Sequence, residues 1–414
     1  MKYKIFGCKV NKYFTDKWIN SDYLKDKSWI FISSCVVTDK AKKKWIRFVK
    51  TTAKSLELGE KMFISWCWAF EKWKIQKNFF EIYPEIKYLE DRIKILWETP
   101  KKPEILWEKK IKITRKENIK NIYTKKFVLI QWWCDSHCTY CLTVLKRWKY
   151  FYRKKEEIRD EILEFEKSWW KEVVLTWVNL SSWWLKTTND FNKSRFAELL
   201  EYLLIQTNIP RLRISSLWPE FVNDKCLEIF REKRICPHFH YSVQSWSSNV
   251  LKKMNRNYDW KYIKDLLQKT RNIKRNDLVS VSIWVDIIVW FPWESEDDFL
   301  KTFNLVKDMQ IQKLHVFPFS SHNIWESVPA KFFKDQISDP IKQKRVDSIK
   351  ILWDDIREDF VKFQVWKELK VLVECVRDNS WNWWSQNYIK CDSKNFKIIS
   401  WKLKKNNIIS GVLI

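Results

Sequence analysis

Cys134, Cys138 and Cys141 stand in the run VLIQWWCDSHCTYC, residues 128–141, with three and then two residues between them. Thiolates this close together can grip metal, and two chemistries compete for them. A structural zinc site closes four ligands around one ion, and His137 inside the loop is an awkwardly directed fourth. A 4Fe-4S cluster on three thiolates leaves one iron free for a substrate. Either loop must fold tightly around its metal, where glycine is expected. Trp132 and Trp133 stand there instead.

Three more cysteines each close a short β-rich run: YKIFGC, WIFISSC and KMFISWC. Each run is followed by a polar or helical stretch, which reads as an open parallel α/β sheet. The carboxyl ends of parallel strands share one edge where ligands bind, so Cys8, Cys35 and Cys67 are expected to converge there. From about residue 122 six strand candidates alternate with amphipathic helices: KFVLIQ, EVVLTWV, RLRIS, HFHYSV, VSIWVDIIVWF and KLHVFPF. Strict alternation implies right-handed crossovers and a parallel sheet, here a partial (β/α)6 barrel. The 134–141 loop then lies at the end of the first barrel strand, on the face where such barrels carry chemistry. The tail changes character again, with LKVLVECV, NYIKCD, FKIIS and IISGVLI reading as a small β-barrel whose basic strands suit nucleic acid. The expected division is 1–118, 119–357 and 358–414. The fold class is α/β throughout except for that β tail.

The chain of 414 residues has a formal net charge of +27, which favours a polyanionic partner such as nucleic acid. An AT-rich genome, which inflates lysine everywhere, is the plainer explanation. No apolar run reaches the roughly 18 residues of a membrane span, and the first thirty residues lack a signal-peptide block. The expected setting is cytoplasmic, with no membrane partner. Ten cysteines then argue for metal or redox chemistry over disulfides, although Cys226, Cys236, Cys375 and Cys391 read as buried thiols that pack as small hydrophobes. His238 and His240, alternating on a strand, read as core or surface histidines and are given no role.

Glycine occurs 3 times and tryptophan 29 times. An ordinary domain holds about 7% glycine, and the two counts together reach that share. Most of the tryptophan letters therefore read as glycines from a reassigned UGA codon. The alternative is a chain rich in tryptophan, with paired indoles packed as core or stacking platforms. The glycine reading predicts that several tryptophans are crowded or sit at positive φ.

The cysteine loop, with aromatic Tyr140 before its last thiol, resembles that of radical S-adenosylmethionine (SAM) enzymes. The segments FGCKVN, SSCVVTDKAKKK and SWCWA narrow the likeness to the methylthiotransferases, which carry a second 4Fe-4S cluster in this region. With glycine for tryptophan, QWWCDSHCTYC, VLTWVNLSS, YSVQSWSSNVLKKMNRNY, VDIIVWFPWESEDDF and HVFPFSSHNIWESVPA also resemble that family. Trp132, Trp133, Trp148, Trp177, Trp246, Trp290 and Trp293 fall where the family carries glycine. Two departures are SSC for Asn-Thr-Cys and the missing proline after Cys141.

The resemblance implies a sulfur-group transferase of tRNA with two 4Fe-4S clusters and two molecules of SAM per turnover. Cys134, Cys138 and Cys141 would hold the cluster that cleaves SAM, and Cys8, Cys35 and Cys67 the auxiliary cluster that supplies sulfur. Tyr140, Asn179, Gln244, Ser245 and Asp286 are the implied cosubstrate contacts. Residues 358–414 become a TRAM-like RNA contact, and a flavodoxin or ferredoxin becomes the electron donor. Lys9 and Val10 favour the branch acting on threonylcarbamoyladenosine over isopentenyladenosine or a ribosomal protein. A rival of another class is a basic RNA-binding protein with structural zinc, its tryptophans stacked on bases.

Overall fold

The structure is a computed structural model. It describes residues 2–414 except 8, 22–23, 25–28, 35–38, 58, 66–69, 72–73, 76–78, 97–123, 132–133, 135, 144–151, 177–178, 186–193, 322–327, 335, 337–338, 375, 378–379 and 401–402. Cys8, Cys35, Cys67 and Cys375 lie outside the described residues, as do Trp132, Trp133, Trp148 and Trp177.

The first unit is a four-stranded parallel sheet of β1 (Lys2–Ile5), β2 (Trp29–Ser33), β3 (Lys61–Ser65) and β4 (Ile93–Leu96), in that order. The three strands read from sequence are present. The fourth, IKIL, is too short to announce itself and ends at no cysteine. Helices α1 (Lys9–Ile19) and α2 (Asp39–Lys54) connect the first three strands, as right-handed crossovers require. Val10, Tyr13 and Phe14 of α1 and Trp45 and Val49 of α2 are buried against the sheet.

The middle of the chain is a curved run of parallel strands. β5 (Lys126–Leu129), β6 (Glu172–Thr176) and β7 (Arg211–Ile214) form one sheet, while β8 (His238–Gln244), β9 (Ser282–Val289) and β10 (Lys313–Pro318) form the next. Ser216–Leu217, just beyond β7, pair with β8 and carry the order across. All six strands expected from sequence are therefore there, in chain order. Their helices are α3 (Lys155–Lys167), α4 (Phe196–Gln206), α5 (Trp260–Arg271), α6 (Glu296–Asp308) and α7 (Asp339–Lys362). Period-2 patterning decides which side faces them: Phe239, Tyr241 and Val243 of β8 join the apolar core, so His238, His240, Ser242 and Gln244 occupy the opposite, inner face. Ser295 opens α6 with a capping box completed by Asp298.

The tail is a curled antiparallel sheet of β11 (Glu368–Leu372), β12 (Ser380–Ser385), β13 (Lys390–Asp392), β14 (Phe396–Ser400) and β15 (Ile408–Leu413). β11 sits between β12 and β15, with β14 outside β15 and β13 on β12. Strand β12, SWNWWS, escaped sequence reading because its tryptophans mask alternation. The turn after β12 seals the amino-terminal end of the barrel. Arg213 donates to Gln386 O at 3.1 Å and lies 3.8 Å over the Tyr388 ring, and Asn387 donates to Ser280 O at 3.2 Å.

The amino-terminal unit is pinned to the barrel through α1. Lys126 of β5 pairs with Asp16 at 2.8 Å, and Lys17 pairs with Glu161 of α3 at 2.8 Å. Glu161 also meets Arg153 at 2.5 Å. Burial pushes the Glu161 carboxyl up, but the two cations outweigh it and hold it down to about 2.

Twelve non-glycine residues among those described have positive φ, and five are tryptophans: Trp169 (65°), Trp184 (72°), Trp290 (66°), Trp293 (70°) and Trp366 (65°). Two of the three glycines, Gly7 and Gly59, share that region. A left-handed backbone costs a side-chain-bearing residue about 1–2 kcal/mol. Five such sites approach the ~5–15 kcal/mol that holds a domain together. Trp246 and Trp290 are also fully buried with indole N–H groups that have no partner. Strain and crowding thus fall on three of the seven tryptophans singled out from sequence, and the other four are not described.

Candidate active site

Eight residues, 130–137, carry the chain from β5 to Cys138, which places the thiols at the carboxyl end of the barrel strands. Cys134 and Cys138 are buried and Cys141 half-buried, and none is in a disulfide. Hydrogen bonds to main-chain carbonyls hold the loop against the segment after β8. Thr139 N donates to Met254 O at 3.2 Å, Thr139 Oγ1 to Lys253 O at 2.8 Å, and Asn255 Nδ2 to His137 O at 3.3 Å. Ala330 N closes the other side on Thr139 O at 2.9 Å.

Burial pushes the Cys134 thiol well above its usual value. Cys138 rises to about 11 by burial, with the Arg256 guanidinium pulling the other way. Arg256 Nη1 lies 3.7 Å from Cys138 Sγ. Its fork also donates to Ser242 O at 2.8 Å and to Tyr258 OH at 2.7 Å, and it stacks 3.8 Å from the Trp218 ring. This arginine was missed in sequence, although it sits inside the quoted run KKMNRNY. Its position 118 residues from Cys138 is fixed only by the fold.

His137 is exposed at φ 40° and does not turn inward. Among the described residues, the group of ligand atoms compact enough for one ion is His240, Asp286 and His315, and the three thiols are not in it.

The other sequence candidates divide. Tyr140 is half-buried and packs against two apolar clusters, one containing Cys134 and Cys138 and the other Leu142 and Val250. Asn179, three residues past β6, is completely buried with both amide atoms unpartnered. A buried amide without partners asks for a ligand. Gln244 ends β8 at φ 72° and Ser245 follows it, both buried at the thiol end. Asp286 is elsewhere: it stands in the middle of β9, not at a strand end, and its Oδ1 meets His240 Nε2 at 2.8 Å and His315 Nδ1 at 3.1 Å. These two histidines hold its carboxyl far below the usual range against the upward push of burial.

A partial parallel barrel carries a three-thiol loop at the carboxyl ends of its strands, and residues 128–306 match the model of the Radical SAM superfamily. The chain is 29% identical over 404 residues to the Threonylcarbamoyladenosine tRNA methylthiotransferase MtaB of Thermotoga maritima, covering 90% of this chain and 86% of that one. The protein of the same description from Bacillus subtilis is 28% identical over 70% of this chain, and tRNA-2-methylthio-N(6)-dimethylallyladenosine synthase of Clostridium botulinum strain Okra is 34% identical over 62%. These two alignments span 63% and 55% of the relatives' own lengths. Residues 128–306 thus match a Radical SAM domain, and the chain along most of its length is similar to tRNA methylthiotransferases. The free thiols of Cys134, Cys138 and Cys141 and the orphaned Asn179 amide fit a 4Fe-4S cluster with SAM, while Cys8, Cys35 and Cys67 lie outside the described residues.

Proposed function

We propose that this enzyme places a methylthio group on C2 of N6-threonylcarbamoyladenosine next to the anticodon of tRNA. The observation that carries the reading is likeness to the Thermotoga maritima protein along nearly the whole chain, where the Bacillus subtilis and Clostridium botulinum proteins align over shorter stretches. Cys134, Cys138 and Cys141 would hold one cluster, and Cys8, Cys35 and Cys67 the other. The clusters and SAM would supply the radical chemistry and the sulfur needed to exchange an unactivated C–H for a C–S bond.

The protein's own groups would do the positioning. Arg256 would favour the thiolate of Cys138 by donating to its sulfur. Tyr140, Asn179, Gln244 and Ser245 would form the cosubstrate wall, with the Asn179 amide finding there the partners it lacks. Asp286 is left out of that wall because both histidines already claim it. Residues 1–118, 119–357 and 358–414 would act as auxiliary-cluster, barrel and RNA-contact units. Exposed Lys390, Lys394, Lys397, Lys404 and Lys405 on the last of these suit a phosphate backbone. A flavodoxin or ferredoxin in the cytoplasm would supply electrons.

The test is nucleoside mass spectrometry of tRNA from a strain lacking its own methylthiotransferases and expressing this gene with its own codon meaning. The expected product is the 2-methylthio form of threonylcarbamoyladenosine. Methylthiolation of isopentenyladenosine, or none, would overturn the substrate assignment.

A further inference from the structure

We infer that the chain, as made in its own cell, carries glycine at Trp169, Trp184, Trp290, Trp293 and Trp366. All five have positive φ, and four of them sit in a local motif with a place reserved for a residue lacking Cβ. At the end of α3 the N–H of Trp169 bonds Glu166 O at 2.9 Å and the N–H of Trp170 bonds Phe165 O at 3.1 Å. That pair of bonds is the Schellman helix stop, whose left-handed residue is usually glycine, and Trp169 holds that place. The same stop recurs after the Ser248–Lys253 helix and after α6, where Asn255 and Gln310 take the left-handed place.

Trp293 is the third residue of a turn in which Glu294 N bonds Phe291 O at 3.0 Å, with Pro292 second. Proline second and positive φ third make a type II turn, which calls for glycine third. Trp184 repeats it: Leu185 N bonds Ser182 O at 3.2 Å, and Trp183 has φ −55° and ψ 135°. Trp366 is third in the turn closed by Lys367 N on Gln364 O at 3.1 Å. Trp290 leaves β9 at the catalytic face, where its N–H bonds Glu294 Oε2 at 2.7 Å while its indole N–H has no partner. Tryptophan makes up 29 of 414 residues yet fills five of twelve left-handed non-glycine positions, a coincidence that chance placement does not produce.

Peptide mass spectrometry of the protein isolated from the cells that encode it decides the matter, since no two residue types differ more in mass. Glycine at 169, 293 and 366 is the expected result, and tryptophan at those positions overturns the inference. A second measurement compares recombinant chains written with glycine and with tryptophan at the five sites. The glycine chain is expected to unfold at the higher denaturant concentration, and the reverse order counts against the inference.

A separate observation lies deeper in the barrel. The geometry points to a site for a first-row divalent metal ion at His240, Asp286 and His315. The three come from adjacent parallel strands, β8, β9 and β10, and their ligand atoms lie within 4.8 Å of one another. Two imidazoles and one carboxylate are a common donor set for such ions. The second carboxylate oxygen is steadied by Ser216 Oγ at 3.3 Å and Ser242 Oγ at 3.4 Å, which bond each other at 2.8 Å, the outer support that metal-binding carboxylates usually have. Beside them His238 is completely buried with neither ring nitrogen partnered.

The test titrates cluster-loaded protein with zinc(II), counting zinc and iron separately by elemental analysis after dialysis. One zinc per chain is expected in the parent, and at least tenfold weaker retention in His315→Gln and Asp286→Ala at unchanged iron. No retained zinc in the parent, or equal retention in the variants, would rule the site out.

Discussion

Trp169→Gly in the chain as written offers the cleanest measure of backbone strain, because the indole is 76% exposed and its removal opens no cavity. The backbone around it is fixed by the two Schellman bonds and by Asn406 Nδ2 donating to Trp169 O at 3.2 Å, so the strain cannot relax by shifting the loop. Relief of the left-handed conformation returns about 1–2 kcal/mol. Against this stand about 0.4–1 kcal/mol from the looser unfolded chain of glycine. The exposed contact of Lys171 with the ring, 5.6 Å from its centroid, adds at most about 0.5 kcal/mol. The expected net gain is about 0.5–1 kcal/mol. Urea unfolding should show a higher midpoint at unchanged slope. Trp169→Ala removes the same indole but keeps a Cβ, so it should show no gain. Equal midpoints for the glycine and alanine variants would refute the reasoning, since loss of the ring and not release of φ would then explain any change.

Further expectations follow from the charge network and the core. Glu161→Gln leaves Lys17 and Arg153 facing a neutral group and should cost about 3 kcal/mol in chemical unfolding, toward the low end for broken buried pairs because Lys17 is partly exposed. The depressed Glu161 carboxyl contributes stability that is complete above the unfolded value of about 4.3 and is lost as pH falls toward about 2. That acid-side loss should vanish in the glutamine variant. Glu294 runs the other way: burial raises it to about 7 against the pull of Trp290 N–H and Arg345. The folded chain keeps a proton that the unfolded chain releases, so stability should fall as pH rises from about 4.3 to about 7, and Glu294→Gln should flatten that slope. Gly411→Ala drives a methyl into the Phe396 ring and the Lys397 carbonyl. Its cost, about 1–3 kcal/mol, should appear as a lower thermal midpoint.

The residues legible in the sequence were those governed by local rules. Cys134, Cys138 and Cys141 stand out as candidate metal ligands by their spacing, and the six barrel strands declare themselves by β-branched runs separated by amphipathic helices. What stayed hidden depends on distant parts of the chain meeting. Nothing near Arg256 says that it reaches Cys138, and nothing near His315 says that it shares a carboxylate oxygen with His240. Asp286 read as a strand-end contact because the apolar run VDIIVWF gives no mark of where β9 stops, and the strand continues three residues past it to Val289. Strand β12 was hidden for a different reason: its six residues cannot alternate visibly when three of them are the same tryptophan.

The barrel interior explains why the tail belongs to the catalytic unit and is no passive cap. Arg213 and Glu172 are both buried on inner strand faces and satisfy each other at 2.6 Å. The guanidinium also donates to Gln386 O and to Ser385 O at 3.5 Å and lies over the Tyr388 ring, all at the end of β12 and the turn after it. A buried arginine stripped of those partners would carry an unmet desolvation cost, at the foot of the same polar column that holds His238, His240 and Asp286. Removing the tail should therefore loosen the barrel from the end opposite the thiol loop, and RNA contact would be only part of its work. A chain ending before residue 368 that kept full cluster occupancy and an unchanged barrel unfolding midpoint would separate the two roles and remove the structural one.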